Sequence, residues 1–334
     1  MYEIKTITLS MNNISIITAA KNEEKNLPFL IDALLKLNYP KDNFEVIIVD
    51  DNSTDGTFQK AKELTEAFSN FTIIKAETKK YEGKRGALDI GIKKCKHDYI
   101  LITDADCLPE KNWLIEYSKK FNEGYDFLFG VAPFIKEKSF MNKISCFENL
   151  RSHILTFFFA KIGQPYSAAA RNFGFNKIAF YKIGGYRNTT QTQSGDDDLL
   201  LREAVKHRIK IGTVEAEGSF VFSKTKKTFK EFFRQKARHV STSNYYLLKT
   251  KLAMGGWHLA NLVFLFSPIL FSVSNLFLIL FFLKILFDII IVKSKQKKYG
   301  CSFNLLEIFY LQIIYEIFLI VHYIYGSIAK PPWK

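Results

Sequence analysis

The chain has 334 residues, 48% of them hydrophobic and 32 of them Phe, with a net charge of +14 from 47 Lys and Arg against 33 Asp and Glu. That length is long for one compact domain and short for three, so one large domain with an appendage is expected. The four cysteines, Cys95, Cys107, Cys146 and Cys301, stand at neither framework nor metal-ligand spacing, which excludes a disulfide scaffold and a zinc site as readings of the sequence.

A mean hydropathy of −0.03 averages a mixed N-terminal part with an apolar, Phe-rich C-terminal part. Residues 1–14 hold no charged segment followed by an apolar run, so no signal peptide is expected and the N-terminal domain is expected in the cytosol. The positive charge is clustered. Between residues 224 and 251 stand nine Lys or Arg and one acid, Glu231, directly before the apolar region. That placement favours an anionic, cytoplasmic membrane face over a nucleic-acid groove, and no nucleic-acid partner is expected.

From the N-terminus, apolar runs rich in branched residues at 14–18, 45–49, 71–75, 99–103 and 127–131 alternate with helical patterns. Residues 26–37 place Leu27, Leu30, Ile31, Leu34 and Leu35 on one stripe, and Trp113, Leu114 and Tyr117 open another. Such alternation predicts an α/β fold with a mostly parallel sheet covered on both faces. Residues 138–163 form an amphipathic, Phe-rich helix, either a cover for the core or an acceptor-side wall near the membrane. Residues 257–292 are almost wholly apolar, interrupted by Pro268, by residues 272–275, and by Lys284 with Asp288. The basic loop 293–298 leads to a second apolar run at 305–325. A span needs about 20 residues, so two or three membrane segments are predicted, one of them able to lie in the interface.

In parallel sheets ligands bind outside the carboxyl ends of the strands. Here those ends are acidic: Ala19-Ala20-Lys21-Asn22-Glu23 follows the first strand, Asp50-Asp51-Asn52-Ser53-Thr54-Asp55-Gly56 the second, and Asp104-Ala105-Asp106 the fourth. The second loop mimics a calcium loop from Asp51 onward, but Lys62 stands where a bidentate Glu is required. Carboxylates at this edge can accept hydrogen bonds from a base and from ribose hydroxyls. Two hard oxygen donors, Asp104 and Asp106, suit a divalent cation that also binds a pyrophosphate.

Four segments in this order and spacing resemble the family 2 glycosyltransferases, of the membrane-anchored bacterial type: Ile16-Ile17-Thr18-Ala19-Ala20-Lys21-Asn22-Glu23-Glu24, Val49-Asp50-Asp51-Asn52-Ser53-Thr54-Asp55-Gly56-Thr57, Gly83-Lys84-Arg85-Gly86-Ala87-Leu88 and Thr103-Asp104-Ala105-Asp106. The resemblance covers about the first 115 residues. It implies a GT-A fold, Rossmann-like with a mostly parallel sheet, and inverting transfer from a nucleotide-sugar, with UDP the expected nucleotide. It places nucleotide contacts on Ala19, Asn22, Glu23, Asp50, Asp51, Lys84 and Asp104, and Mg²⁺ or Mn²⁺ on Asp104 and Asp106. It also implies an acidic base ahead of a helix. Ser194-Gly195-Asp196-Asp197-Asp198 fits, with Asp196 assigned, Asp197 its competitor, and a helix cap the alternative use of all three acids. Gly184-Gly185-Tyr186 resembles the family's turn beneath the acceptor site. Gln235-Lys236-Ala237-Arg238-His239 matches the family's Q-x-x-R-W only in part, since His239 replaces the Trp. Gln235, Arg238 and, after the small-residue stretch Ser167-Ala168-Ala169-Ala170, Arg171 are the implied pyrophosphate or acceptor contacts.

The expected organisation is a GT-A domain over residues 1–250, its nucleotide-sugar half at about 1–115 and its acceptor half at about 116–250, followed by a membrane-associated region over 251–334. The expected activity is metal-dependent transfer to a lipid-linked or glycan acceptor at the cytoplasmic face of the inner membrane. Two other readings remain: a membrane scaffold without turnover, and a sugar-phosphate nucleotidyltransferase. The second lacks a Gly-rich, Arg- and Lys-bearing phosphate loop after the first strand.

Overall fold

The computed structural model describes residues 11–192 and 194–328. Residues 1–10, most of the stretch read as lacking a signal peptide, lie outside the described residues. In chain order the strands are β1 (Ile14–Ala20), β2 (Phe44–Asp50), β3 (Phe71–Lys75), β4 (Tyr99–Ile102), β5 (Cys107–Pro109), β6 (Phe127–Gly130), β7 (Phe173–Asn176), β8 (Ile211–Val214) and β9 (Val221–Ser223). The α-helices are α1 (Leu27–Leu35), α2 (Thr57–Thr65), α3 (Gly83–Lys94), α4 (Trp113–Asn122), α5 (Phe140–Lys161), α6 (Lys177–Lys182), α7 (Asp198–Lys206), α8 (Phe229–Ser243), α9 (Leu248–Phe266), α10 (Leu276–Lys295) and α11 (Leu305–Ile328).

The chain forms two compact units. The first, Met1–Gly130, Ala169–Tyr186 and Ala204–Val221, holds a seven-stranded sheet in the order β3-β2-β1-β4-β7-β6-β8. β1 pairs in parallel with both β2 and β4, and β2 in parallel with β3. All seven residues of β2 are buried, as a strand covered on both faces requires. The α1 stripe Leu27, Leu30, Ile31 and Leu34 is buried against this sheet, as are Trp113, Leu114 and Tyr117 of α4. β7 runs antiparallel to β4 and β6, so the sheet is mostly, not wholly, parallel.

A buried polar anchor holds α4 to the segment before β7. Asn172, fully buried, accepts at its side-chain oxygen from the Trp113 indole N–H at 2.8 Å and the Tyr117 hydroxyl at 2.8 Å. Tyr117 also reaches the Asn172 carbonyl at 2.9 Å and keeps that acceptor if the side chain is removed; Trp113 does not. Asn172→Ala is therefore expected to lower unfolding stability by about 2 kcal/mol, the scale of one buried donor left without an acceptor. Urea unfolding followed by far-UV circular dichroism measures it, and an unshifted midpoint refutes the anchor.

The second unit, Val131–Ala168, Arg187–Glu203 and Phe222–Lys334, is built mainly of helices. The Ser139 hydroxyl caps α5, and Thr228 with Glu231 forms a capping box on α8. Lys284 and Asp288, one turn apart on α10, are paired as their spacing suggested. They belong to a larger buried network: Arg151 of α5 reaches Asp288 at 3.2 Å, Lys284 reaches Glu316 of α11 at 3.3 Å, and Gln312 donates to Glu316 at 2.8 Å. The polarity of these helices is inverted. Mid-helix, Lys284, Asp288 and Glu316 face inward while Leu259, Val263, Phe282, Leu286, Ile317 and Val321 are exposed.

Candidate active site

Because β2, β1 and β4 are adjacent and parallel, their carboxyl ends open on one edge of the sheet. The loops after β1 and β2 are zipped to each other there. Asn22, with φ at +57°, accepts from the Thr54 N–H at 2.8 Å, and its own N–H donates to Ser53 at 2.9 Å. The Glu23 N–H donates to the Thr57 hydroxyl at 2.8 Å, and the Glu23 carboxylate accepts from Asn26 at 2.7 Å. These two residues thus build the loop walls. Ala19 is partly exposed at the end of β1. Asp50 is 3% exposed, and its Oδ1 has no hydrogen-bond partner among the described residues. A buried acceptor left open costs free energy unless a donor arrives, as an N–H of a nucleotide base would. The neighbouring carboxylate, Asp51, is ion-paired with Lys79. Sequence reasoning missed Lys79, one of two adjacent lysines in a loop with no pattern to distinguish it.

After β4, ligand atoms of Asp104, Asp106 and Cys107 lie within 4.8 Å of one another. The Lys84 ammonium, from the first turn of α3, sits 2.5 Å from Asp104 Oδ1. Among the described residues, Asp106 Oδ1 accepts only a weak bond from the Cys107 thiol, at 3.5 Å. Burial, then the charges of Asp104 and Asp106, push that thiol well above its usual range, while the Arg171 guanidinium pulls the other way. The thiol is thereby kept protonated, and the two carboxylates are the donors here, hard oxygens that suit Mg²⁺ or Mn²⁺. Arg171 is close enough to this loop to act on it electrostatically.

In the second unit the three consecutive acids have separate employments. Asp198 opens α7, is buried, and accepts from the Ala168 N–H at 3.0 Å and the Tyr246 hydroxyl at 2.6 Å. Burial raises its pKa first, with the Asp196 charge adding to the shift. Asp197 accepts from the Asp198 N–H at 2.7 Å, a capping contact. Asp196 is partly exposed and its charge acts on Arg238, whose pKa burial and Arg234 lower. Asp196 and Arg238 are therefore neighbours, and Gln235 stands one turn before Arg238 on α8, half-buried. Arg202, not singled out by sequence, ties α7 to the carbonyls of Asn188 at 2.7 Å and Tyr245 at 2.9 Å.

Gly195 has φ at +81°, and a Cβ there would stand 2.5 Å from Thr242 Cγ2 on α8. Gly195→Ala is expected to cost about 1–2 kcal/mol for the left-handed backbone alone, with the contact to Thr242 adding to it. A thermal-shift measurement checks this; an unchanged melting temperature would show that the loop relaxes freely.

Residues 15–183 match the sequence profile of the family described as Glycosyl transferase family 2. Over 92% of this chain and 97% of the relative, the sequence is 28% identical to a dolichyl N-acetyl-alpha-D-glucosaminyl phosphate 3-beta-D-2,3-diacetamido-2,3-dideoxy-beta-D-glucuronosyltransferase of Methanococcus voltae. A beta-monoglucosyldiacylglycerol synthase of Nostoc sp. is 34% identical over 33% of this chain and 24% of its own length. Among solved structures, the mannosyltransferase PcManGT from Pyrobaculum calidifontis, in complex with GDP-Man and Mn²⁺, superposes with a TM-score of 0.53 at 18% identity, covering 70% of this chain and 63% of its own. With a profile match across half its length and a GT-A-like sheet, the chain belongs to glycosyl transferase family 2 and is a glycosyltransferase.

Proposed function

We propose that this glycosyltransferase moves a sugar, with inversion, from a nucleotide-sugar, UDP-linked by preference, to a lipid-linked or glycan acceptor at the cytoplasmic face of the inner membrane. The observation that carries the donor reading is the edge formed by β2, β1 and β4. It offers an open buried acceptor on Asp50 and the oxygen pair of Asp104 and Asp106. Asp50 and Asp51 would face the nucleoside, and Lys84 the diphosphate. A divalent cation held by Asp104 and Asp106 would supply positive charge where the departing diphosphate becomes more negative. Asp196 would take the proton from the attacking acceptor hydroxyl, and Arg238 would hold phosphate oxygens.

Residues 1–250 carry the catalysis in this reading and residues 251–334 hold it at the membrane. The acceptor class is supported by the Methanococcus voltae relative, whose name specifies a dolichyl-linked sugar phosphate and which spans nearly this whole chain. The membrane reading is supported by Leu248–Leu270 and Leu305–Gly326, long and apolar enough to cross a bilayer. Only 17% and 33% of them is buried, unlike core helices of a soluble protein. The test is a screen of nucleotide-sugars for release of nucleoside diphosphate with Mn²⁺ or Mg²⁺ and a polyprenyl-phosphate-linked sugar. Release that a chelator abolishes is expected. No release from any donor with either ion would leave the scaffold reading standing.

A further inference from the structure

We propose that α9, α10 and α11 embed in one leaflet of an anionic phospholipid bilayer without crossing it, an inference that rests on the membrane reading above. Three observations carry it.

The first is the hairpin of α9 and α10. A nine-residue connection, 267–275, joins the helices, the Ser267 hydroxyl bonds the Phe277 carbonyl at 2.8 Å, and α10 packs back on α9, so the pair forms a hairpin. Lys249 and Lys251 at its start, and Lys293 and Lys295 at its end, therefore share one end, suited to anionic headgroups. The other end is apolar and open: Ile269 is 74%, Val273 74% and Leu276 65% exposed. No charged residue occurs from 252 to 283. A hairpin that crossed would have to place this end in far-side water, where exposed Ile, Val and Leu are unfavourable.

The second concerns α11. Its first half lies along α5, through Lys143 with Glu307 at 2.7 Å and the Phe147–Tyr315 ring contact. Its second half lies along α8, through Phe233 with Phe318 and Tyr325. At Gly326 a Cβ would stand 3.0 Å from Val240, so the two helices approach closely. α8 also exposes Lys230, Glu231 and Arg234. An α11 standing upright across the bilayer would carry those charges into hydrocarbon, whereas an α11 lying flat leaves them in water.

The third is the network of Arg151, Lys284, Asp288 and Glu316, which binds the middle of α10 and α11 to the middle of α5. The middles of α10 and α11 are thus tied to α5, while Phe282, Leu286, Ile317 and Val321 stay exposed on their other sides.

The test uses the full chain in sealed vesicles containing phosphatidylglycerol, with partly exposed Cys301 replaced by Ser and the buried Cys95, Cys107 and Cys146 retained. Flotation first establishes binding. Ser294→Cys is expected to react with an impermeant maleimide only from the side bearing the catalytic unit. Ser274→Cys is expected to react from neither side until detergent is added. Reaction of Ser274→Cys from the opposite side overturns the single-leaflet arrangement and leaves the membrane reading intact; reaction from the catalytic side shows the tip in water and also overturns it. Failure to float overturns both. Ser274→Trp in the otherwise natural chain gives an independent check. Iodide on either side of the membrane should not quench the added emission, and quenching from the far side refutes the proposal.

Discussion

Asp106→Ala is expected to abolish sugar transfer and to remove the metal dependence of donor binding. The two carboxylates after β4 are not equivalent. Asp104 is engaged by Lys84 at 2.5 Å, whereas Asp106, among the described residues, receives the weak thiol bond from Cys107. Asp106 is thus the donor most available to an incoming cation, and the loop's other carboxylate, Asp104, is already engaged by Lys84. Loss of about 4 kcal/mol of charge stabilisation in the transition state corresponds to roughly a thousandfold in rate. Calorimetric titration of donor with and without Mn²⁺, beside turnover, measures both effects. Unchanged affinity and rate would remove Asp106 from the metal site.

Asp196→Asn is expected to leave donor binding nearly intact while turnover falls on the order of 100-fold or more, the scale lost with a general base. The neighbouring acids sharpen this. Asp198 is held between the Ala168 N–H and the Tyr246 hydroxyl, and Asp197 accepts from the next N–H, so both have positions to keep. Asp196 combines partial exposure with the nearby charge of Arg238. Asp197→Asn should be milder, because an amide oxygen still accepts the capping bond. Equal losses of binding and rate in Asp196→Asn would assign that residue to the helix terminus instead of to proton removal.

The strands that carry the donor edge were legible in sequence because each is a long apolar run ended by acids, the pattern a strand buried on both faces must have. β7 and β8 were not, since Gly174 and Gly212 interrupt their four residues and leave no continuous apolar run to register. The motif residues were found, but their partners were not. Nothing local in the sequence says that Asp51 meets Lys79 or that Asn172 accepts from Trp113, because such pairings join segments 28 and 59 residues apart. Asn22 and Glu23 were singled out for the nucleotide. The Asn22 side chain and the Glu23 backbone N–H are also spent on stitching two loops together, a use that emerges only when β1 and β2 lie side by side. In the apolar region, composition revealed the solvent but not the inward charges of Glu316 and Arg151, which make sense only once helices from distant segments are packed.

The helix that bears Gln235 and Arg238 has its aromatic side wedged against the C-terminal helix. The hydrophobic tail is therefore part of the mould in which Gln235 and Arg238 are set, not a leash by which a self-sufficient enzyme is kept near its substrate. Pruning it for solubility would uncover Phe229, Phe232 and Phe233 and unseat the arginine, so the evolutionary freedom of this tail is bounded by chemistry as well as by lipid.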